Sequence, residues 1–187
     1  MSTASRFDRA DFTAQRHKVV AQPKATIQWP LPNGAILKLG ESVVAHRKGS
    51  GRPHKGVDIF VAPNTPVLAA VEGRVLKVFD ARRHADPDVR RAGLYVDILA
   101  GIVGWEGLFI FRYLHLWKTA VSTGAYVEMG AKIALTGTAK QVGIEHSGPH
   151  IHFEVRQAKE ERGRFSYGVP IDPLELLPPL QTGDLNA

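Results

Sequence analysis

The apolar residues of this chain come in short runs that are separated by glycine and proline. Most of these runs are five to nine residues long and are rich in valine, isoleucine, phenylalanine and tyrosine. Runs of this length and composition favour β-strands over helices. The expected strands are Val57–Ala62, Val67–Ala70, Gly73–Phe79, Leu94–Leu99, Leu108–Leu116, Lys132–Thr136 and Ile151–Val155. The pattern therefore predicts a mainly β protein, with an antiparallel β-sheet and short peripheral helices.

The length of 187 residues fits one domain with flanking segments. Residues 1–26 are polar and mixed in charge, and we interpret them as an N-terminal appendage. Two prolines and a turn in Ile27–Gly34 mark the start of a folded domain that we place over 27–178. Residues 179–187 are expected to form a frayed C-terminal tail.

Two segments interrupt the strand pattern. Asp80–Gly93 is rich in arginine and predicts an exposed basic insertion, in which Asp86 and Pro87 start a helical turn. Near the C-terminus, Glu160–Arg164 is expected to be a loop, and Ile171–Leu177 a short closing helix.

The chain contains no cysteine and eight histidines. This composition excludes disulfides, thiolate zinc sites, iron–sulfur clusters and cysteine nucleophiles. Any metal site must therefore use histidine with aspartate or glutamate, which is the usual ligand set of catalytic zinc.

The formal net charge of +6 favours polyanionic partners without choosing among nucleic acid, anionic lipid and cell-wall polymer. We expect no nucleic-acid partner, because the aromatic residues are not interleaved with the basic ones. No apolar run approaches the ~20 residues of a membrane span, and the first residues lack the apolar core of a secretory signal.

One candidate site is His54-Lys55-Gly56-Val57-Asp58. In a straight strand the Cα atoms of His54 and Asp58 would lie roughly 13 Å apart, too far for both side chains to bind one ion. A shared metal would require the chain to bend, and Gly56 is where it can. The alternative is a turn at the start of a strand, with a solvated histidine and a capping aspartate.

A second candidate is the strand that contains His150, His152 and Glu154. Strand alternation places these three side chains on one face, with Ile151, Phe153 and Val155 on the other. Paired imidazoles suggest a metal or a proton-transfer role, and the alternative is a solvated polar face.

The third candidate is His115, which lies within an apolar strand. Taken alone it is better explained as a core histidine bonded to a backbone carbonyl. Tyr113 would share its face, and either reaches the same groove or packs in the core. The remaining histidines are assigned to the surface: His17, His46, His84 and His146.

Together these segments resemble the lysostaphin-type, or LytM-like, zinc metalloendopeptidases, which cleave peptidoglycan peptides. The resemblance covers about residues 27–178, and it is specific because the motifs occur in the family's order and spacing. The matching motifs are Trp29-Pro30-Leu31-Pro32, His54 to Asp58, Thr65-Pro66-Val67, Gly73-Arg74-Val75, Tyr113-Leu114-His115-Leu116, Val127 to Gly130, Thr136-Gly137, Ser147 to Glu154 and Asp172-Pro173.

The resemblance implies a β-fold of the duplicated-hybrid-motif type, with one zinc ion per chain. By position it makes His54, Asp58 and His152 the zinc ligands and leaves a fourth position for water. His115 and His150 are then the two unliganded catalytic histidines, and the resemblance does not separate general base from oxyanion stabiliser.

The resemblance also implies a zinc endopeptidase that hydrolyses cross-links or stem peptides of peptidoglycan in the periplasm or cell wall. Expected partners are the peptidoglycan peptide, an anionic wall polymer and a delivery or immunity protein. Without a signal in these first residues, delivery by phage lysis, by a secretion machine or with a signal since removed all remain open. The basic insertion and a long Gly137–Ser147 loop depart from the family pattern and are expected near the substrate groove.

Two other functions were weighed against this one. Members of the family that have lost ligands serve as wall-binding or amidase-activating modules, but here all five positions are filled. Val67–Val75 and Val127–Ile133 also resemble the repeated hairpins of biotinyl and lipoyl carrier domains. A carrier needs a modifiable lysine at a hairpin tip and has no use for the histidine and aspartate set.

Overall fold

The computed structural model describes residues 27–43, 53–144 and 148–180. The predicted appendage 1–26 and most of the predicted tail lie outside the described residues. The described part contains short helices α1 (Pro87–Arg90) and α2 (Ala139–Val142), and a 3₁₀ helix at Pro173–Glu175. Its strands are β1 (Ile36–Leu39), β2 (Val57–Val61), β3 (Pro66–Leu68), β4 (Gly73–Asp80), β5 (Leu94–Ala100), β6 (Phe109–Thr119), β7 (Tyr126–Val127), β8 (Lys132–Thr136), β9 (His150–Glu161) and β10 (Arg164–Ile171).

The strands form one sheet whose main path runs β1-β2-β9-β6-β5-β4-β7. β10 pairs with β9, and β8 joins β6 to β3. Every pairing is antiparallel. The predicted mainly β, antiparallel fold with short peripheral helices is confirmed. Within the described ranges, no helix is long and apolar enough to cross a membrane.

One face of β9 forms the centre of the hydrophobic core. Ile151, Phe153 and Val155 are fully buried, as the alternation predicts. From the neighbouring β6, Phe111 and Tyr113 pack against Phe153, with ring centroids 6.4 and 5.1 Å away. This packing holds the two central strands together and turns His150, His152 and Glu154 toward the opposite face.

The C-terminal half of β9 and all of β10 were not predicted. The expected loop at 160–164 is wrong, because β9 runs to Glu161 and a two-residue turn leads directly into β10. Both turn residues, Arg162 and Gly163, have positive φ, which is typical of tight hairpin turns. The second half of β9 is exposed and polar, and it gives little strand signal. β10 alternates apolar residues at Phe165, Tyr167, Val169 and Ile171, but Gly168 and Pro170, which weaken a strand pattern, interrupt it. The short strands β1 and β7 were also missed.

The basic segment Asp80–Gly93 forms an exposed insertion, as predicted. The Asp86 side chain accepts a hydrogen bond from the backbone N–H of Asp88 and caps α1. Arg82 differs from the other arginines because its guanidinium pairs with Asp80 at 2.6 Å and also donates to the Gln141 carbonyl. Arg82 thereby ties the insertion to α2.

Gly56 sits at the point where the chain enters β2 beside β9. The chain bends there, as a shared site for His54 and Asp58 requires. A Cβ at Gly56 would overlap the carbonyl oxygen of Phe153 and lie 2.9 Å from Cγ of Glu154. Glycine is therefore required by the close approach of the two strands.

We expect Gly56→Ala to lower the free energy of unfolding by roughly 2–3 kcal/mol, because the backbone of β9 must move to admit the methyl group. Urea denaturation of the metal-free protein measures this change. The matched control is Gly148→Ala, whose Cβ would meet only the Phe60 ring at an ordinary 3.5 Å. Equal stability of the two variants would contradict the close-packing account.

Candidate metal centre

Three side chains converge on one point beside β2 and β9. Nε2 of His54 lies 3.1 Å from Oδ1 of Asp58 and 3.0 Å from Nδ1 of His152. The third edge, from His152 Nδ1 to Asp58 Oδ1, is 2.8 Å. All three residues are at least nine-tenths buried. Among the described residues, these are the ones whose ligand atoms are grouped closely enough to hold a metal ion.

The strand pairing places these side chains together. Asp58 of β2 lies directly opposite His152 of β9 in the register. His54 precedes the bend at Gly56, which folds its imidazole back over the Asp58 carboxylate. The sequence separates His54 from His152 by 98 residues, so the site exists only when β2 and β9 pair.

Hydrogen bonds on the outer side of each ring set which nitrogen faces the centre. Nδ1 of His54 lies 2.8 Å from the Ser42 carbonyl oxygen, and because a carbonyl only accepts, this nitrogen carries the proton. Nε2 of His152 lies 3.0 Å from Oε1 of Glu154 and donates to it. The two rings therefore direct nitrogen lone pairs at the point that an oxygen of Asp58 also faces. Three electron-rich atoms so close together require a positive charge between them.

The electrostatics agree with this need. Burial alone raises the pKa of Asp58, but His152 and His54 outweigh it and hold that pKa well below its ordinary value. Burial lowers the pKa of His152, yet hydrogen bonds with Asp58 and Glu154 raise it overall. The centre thus favours a cation, whether a proton on His152 or a metal ion.

The donor set and spacing also fit zinc. Two imidazole nitrogens and one carboxylate oxygen are ordinary zinc ligands, and three protein ligands are typical of catalytic sites. Ligands bound at about 2.0–2.1 Å to a tetrahedral ion lie roughly 3.3 Å apart, close to the observed triangle.

The other two predicted site residues flank the triangle. Nε2 of His150 lies 3.8 Å from Oδ1 of Asp58, while its Nδ1 donates to the Gly148 carbonyl at 2.9 Å. The His115 ring centroid is 5.0 Å from that of His150 and 6.1 Å from that of His152. The structure therefore brings all five predicted residues into one site.

His115 reaches the site through an irregularity in β6. Its φ is +62°, which is uncommon for a residue with a side chain, and the β5–β6 register slips by one residue around it. The N–H of His115 donates to the carbonyl of Ala92, at the end of the basic insertion. The bulge turns the imidazole out of the core, so His115 is half-buried and not the core histidine that its apolar strand suggests.

Comparison with known proteins places this geometry in a family. The model of peptidase family M23 matches residues 52–173, a range that contains all five site residues. The chain belongs to peptidase family M23. The expected lysostaphin-type, LytM-like kinship is thereby confirmed.

Three similar proteins show how much of this chain resembles known M23 peptidases. It is 35% identical over 103 residues to the peptidoglycan DD-endopeptidase ShyB of Vibrio cholerae, covering 55% of this chain and 20% of that protein. A zinc-containing peptidase from Vibrio cholerae has 29% identity and a TM-score of 0.56, covering 78% and 39% of the two chains. The catalytic domain of lysostaphin from Staphylococcus simulans has 25% identity and a TM-score of 0.55, covering 74% and 90%.

The matched region is a limited part of its relatives. The M23 chain spans about a fifth of the length of the first curated relatives it matches. The likeness therefore concerns the domain that holds the site. The other histidines lie elsewhere: His84 is exposed on the basic insertion, as expected, and His17, His46 and His146 fall outside the described residues.

Sequence reasoning missed the groups behind His152 in this M23 domain. Glu154 was assigned to the polar face but given no role, although it accepts from His152. Burial alone raises the pKa of Glu154, but His152 and Arg112 outweigh it and lower that pKa to about 2. Glu154 is therefore an anion held by Arg112. One indication is visible in the sequence, because a carboxylate two residues after a ligand in a strand shares the face of that ligand.

Of the two positions that the sequence allows for Tyr113, the groove and the core, the structure shows the core. It is fully buried, and its hydroxyl accepts from the backbone N–H of Ala70 at 2.8 Å. The bulge at His115 accounts for the difference, because it breaks the alternation that would put Tyr113 and His115 on one face.

Tyr113→Phe should lower the free energy of unfolding by about 1–3 kcal/mol, since the buried Ala70 N–H loses its acceptor. Metal binding should not change. Thermal or urea unfolding measures the loss of stability, and a zinc titration checks that metal binding is unchanged. Tyr126→Phe is the control, because Tyr126 is exposed and water can replace the contact that its hydroxyl makes. A loss of zinc binding in Tyr113→Phe would show that this residue supports the site.

Proposed function

We propose that this domain is a zinc metalloendopeptidase that hydrolyses peptide cross-links or stem peptides of bacterial peptidoglycan. The observation that carries the proposal is the convergence of His54, Asp58 and His152 on one point, with two further histidines beside it. The similarity to a peptidoglycan DD-endopeptidase and to a zinc-containing peptidase supports the substrate class and the metal.

In this mechanism His54, Asp58 and His152 hold one zinc ion. When bound, the ion supplies Lewis-acid polarisation of the scissile carbonyl and lowers the pKa of water toward about 7. Three protein ligands leave a position open for reactants. The burial of all three side chains excludes bulk water and strengthens their electrostatic effect on a substrate.

His150 and His115 supply the acid–base chemistry and the stabilisation of negative charge. Because Nδ1 of His150 donates to Gly148, its Nε2 faces the centre as a proton acceptor. This orientation suits a general base that takes a proton from the attacking water and returns it to the leaving amine. His115, whose ring lies 5.0 Å from that of His150 and 6.1 Å from that of His152, is placed to stabilise negative charge on the carbonyl oxygen. The Nδ1 hydrogen bond of His150 is the basis for proposing His150 as the general base and His115 as the oxyanion stabiliser.

The site of action proposed is the periplasm or cell wall, where peptidoglycan lies. The basic insertion borders the site through Ala92, whose carbonyl accepts from the N–H of His115. An anionic wall polymer is its proposed partner.

Purified protein should contain about one zinc ion per chain, and His150→Ala should keep that zinc while losing activity by about 100-fold or more. Elemental analysis gives the zinc content, and release of new amino termini from peptidoglycan gives the activity. His84→Ala, on the exposed insertion, serves as the control and should retain both. Protein that binds no zinc, or an active His150→Ala variant, would refute the proposal.

Neutralising the exposed arginines of the insertion should weaken association with cell wall in a salt-dependent manner. Arg83, Arg90 and Arg91 are exposed, whereas Arg82 is held by Asp80 and α2 and is left intact. The triple Arg→Gln variant should bind wall fragments several-fold less at low salt, and the difference should vanish near 1 M salt because charges are screened.

The matched control removes three positive charges from the β9–β10 hairpin, at Lys159, Arg162 and Arg164. Wall sedimentation assays compare the two variants. If both lose binding equally, net charge rather than the insertion is responsible, and the proposed partner surface is wrong.

A further inference from the structure

Four charged side chains lie together behind the metal centre, and we call Asp97, Arg112, Glu154 and Arg156 the charge cluster. Arg112 Nε donates to Oδ1 of Asp97 at 3.0 Å, and its Nη1 donates to Oε2 of Glu154 at 3.2 Å. Arg156 Nη1 lies 3.5 Å from the same Glu154 oxygen. The other oxygen of Glu154 accepts from His152. One carboxylate therefore joins a proposed metal ligand to two guanidinium groups.

Aromatic residues fix Arg112 in this position. Its guanidinium lies 4.1 Å from the ring centroid of Tyr167 and 5.1 Å from that of Tyr95. The Tyr167 hydroxyl donates to Oδ2 of Asp97 at 2.6 Å. The guanidinium thus lies over two aromatic rings and donates to two carboxylates, an arrangement that lysine cannot reproduce.

The cluster crosses the sheet. Asp97 of β5 lies opposite Arg112 of β6, which lies opposite Glu154 of β9, and Tyr167 comes from β10. The side chains of Asp97, Arg112 and Glu154 are 1%, 11% and 7% exposed. Burying charges in this way is costly, and apolar residues of similar volume are often as stable or more so. Stability alone is therefore a poor reason for the cluster.

We propose that Arg112 is a positioning residue that sets the metal affinity of the site through Glu154 and His152. Arg112 donates to one oxygen of Glu154 and so aims the other oxygen at Nε2 of His152, which leaves Nδ1 to present its lone pair to the centre. Groups that orient a metal-bound histidine in this way commonly change metal affinity by about 10–100-fold when altered. The inference rests on the proposed zinc function and names a further residue on which that function depends.

The test measures zinc affinity by competition with a chromogenic chelator, in the full chain and without a peptidase assay. Arg112→Met and Glu154→Gln should each weaken zinc binding by about 10–100-fold. Arg112→Lys should restore it only in part, because lysine cannot bridge two carboxylates. Arg164→Met, on the exposed end of β10, is the matched control and should bind as the parent does.

The double variant Arg112→Met with Glu154→Gln separates positioning from stability. It removes one cation and one anion together and leaves Arg156 and Asp97, so the thermal midpoint should recover relative to Arg112→Met. Zinc affinity should stay low, because His152 still lacks its anionic partner. The spectrum of the Co²⁺-loaded protein should differ from that of the parent in the double variant and should match it in Arg164→Met.

Two results would overturn the inference. One is zinc affinity in Arg112→Met within twofold of the parent, with the metal-free variant folded by circular dichroism. The other is recovery of zinc affinity together with the thermal midpoint in the double variant, which would reduce Arg112 to a structural role. A parent protein that binds no zinc would instead refute the proposed function, so the two failures are distinguishable.

Discussion

The close approach of β2 to β9 at Gly56 is the constraint on which the rest of the site depends. Since Gly56 has no side chain, its backbone lies against the Phe153 carbonyl and leaves room for the Glu154 side chain. The same strand pairing sets Asp58 opposite His152. The bend at this glycine returns His54 to the Asp58 carboxylate, across a separation that a straight strand would make roughly 13 Å. Because Gly56 lacks a Cβ, the two strands approach closely enough to bring His54, Asp58 and the carboxylate behind His152 into position.

The two faces of β9 differ in character, because one carries apolar side chains and the other carries polar ones. Ile151, Phe153 and Val155 supply the core, and the packing of Phe153 on Tyr113 fixes the strand against β6. The opposite face carries His150, His152 and Glu154, which are also buried. Buried polar groups require partners, and here each has one: a backbone carbonyl for His150, Glu154 for His152, and arginine for Glu154. The need to satisfy this face explains why Asp97 of β5 and Arg112 of β6, together with the Tyr167 hydroxyl of β10, gather behind it.

Local patterns predicted the parts of the site that depend on strand alternation or on a motif. The shared face of His150 and His152, the bend at Gly56 and the capped turn at Asp86 all follow from short-range geometry. Two features depend on the fold as a whole and could not be predicted. The bulge at His115 is an irregular pairing between β5 and β6, so alternation wrongly linked its orientation to that of Tyr113. β10 is interrupted by Gly168 and Pro170, and its contribution to the site, the Tyr167 contact with Asp97 and Arg112, depends on the pairing of β10 with β9.

The different roles proposed for the histidines rest on their hydrogen-bond partners and not on their residue type. His150 and His152 project from the same face of one strand, two residues apart. An anionic carboxylate on the outer nitrogen of His152 makes the inner nitrogen a stronger donor to a cation. The outer nitrogen of His150 donates instead to the neutral Gly148 carbonyl, and its inner nitrogen lies 3.8 Å from Asp58, outside the close triangle. Two histidines on one face of one strand thus differ in the group that lies behind each ring, and this difference supports the separate roles proposed for them.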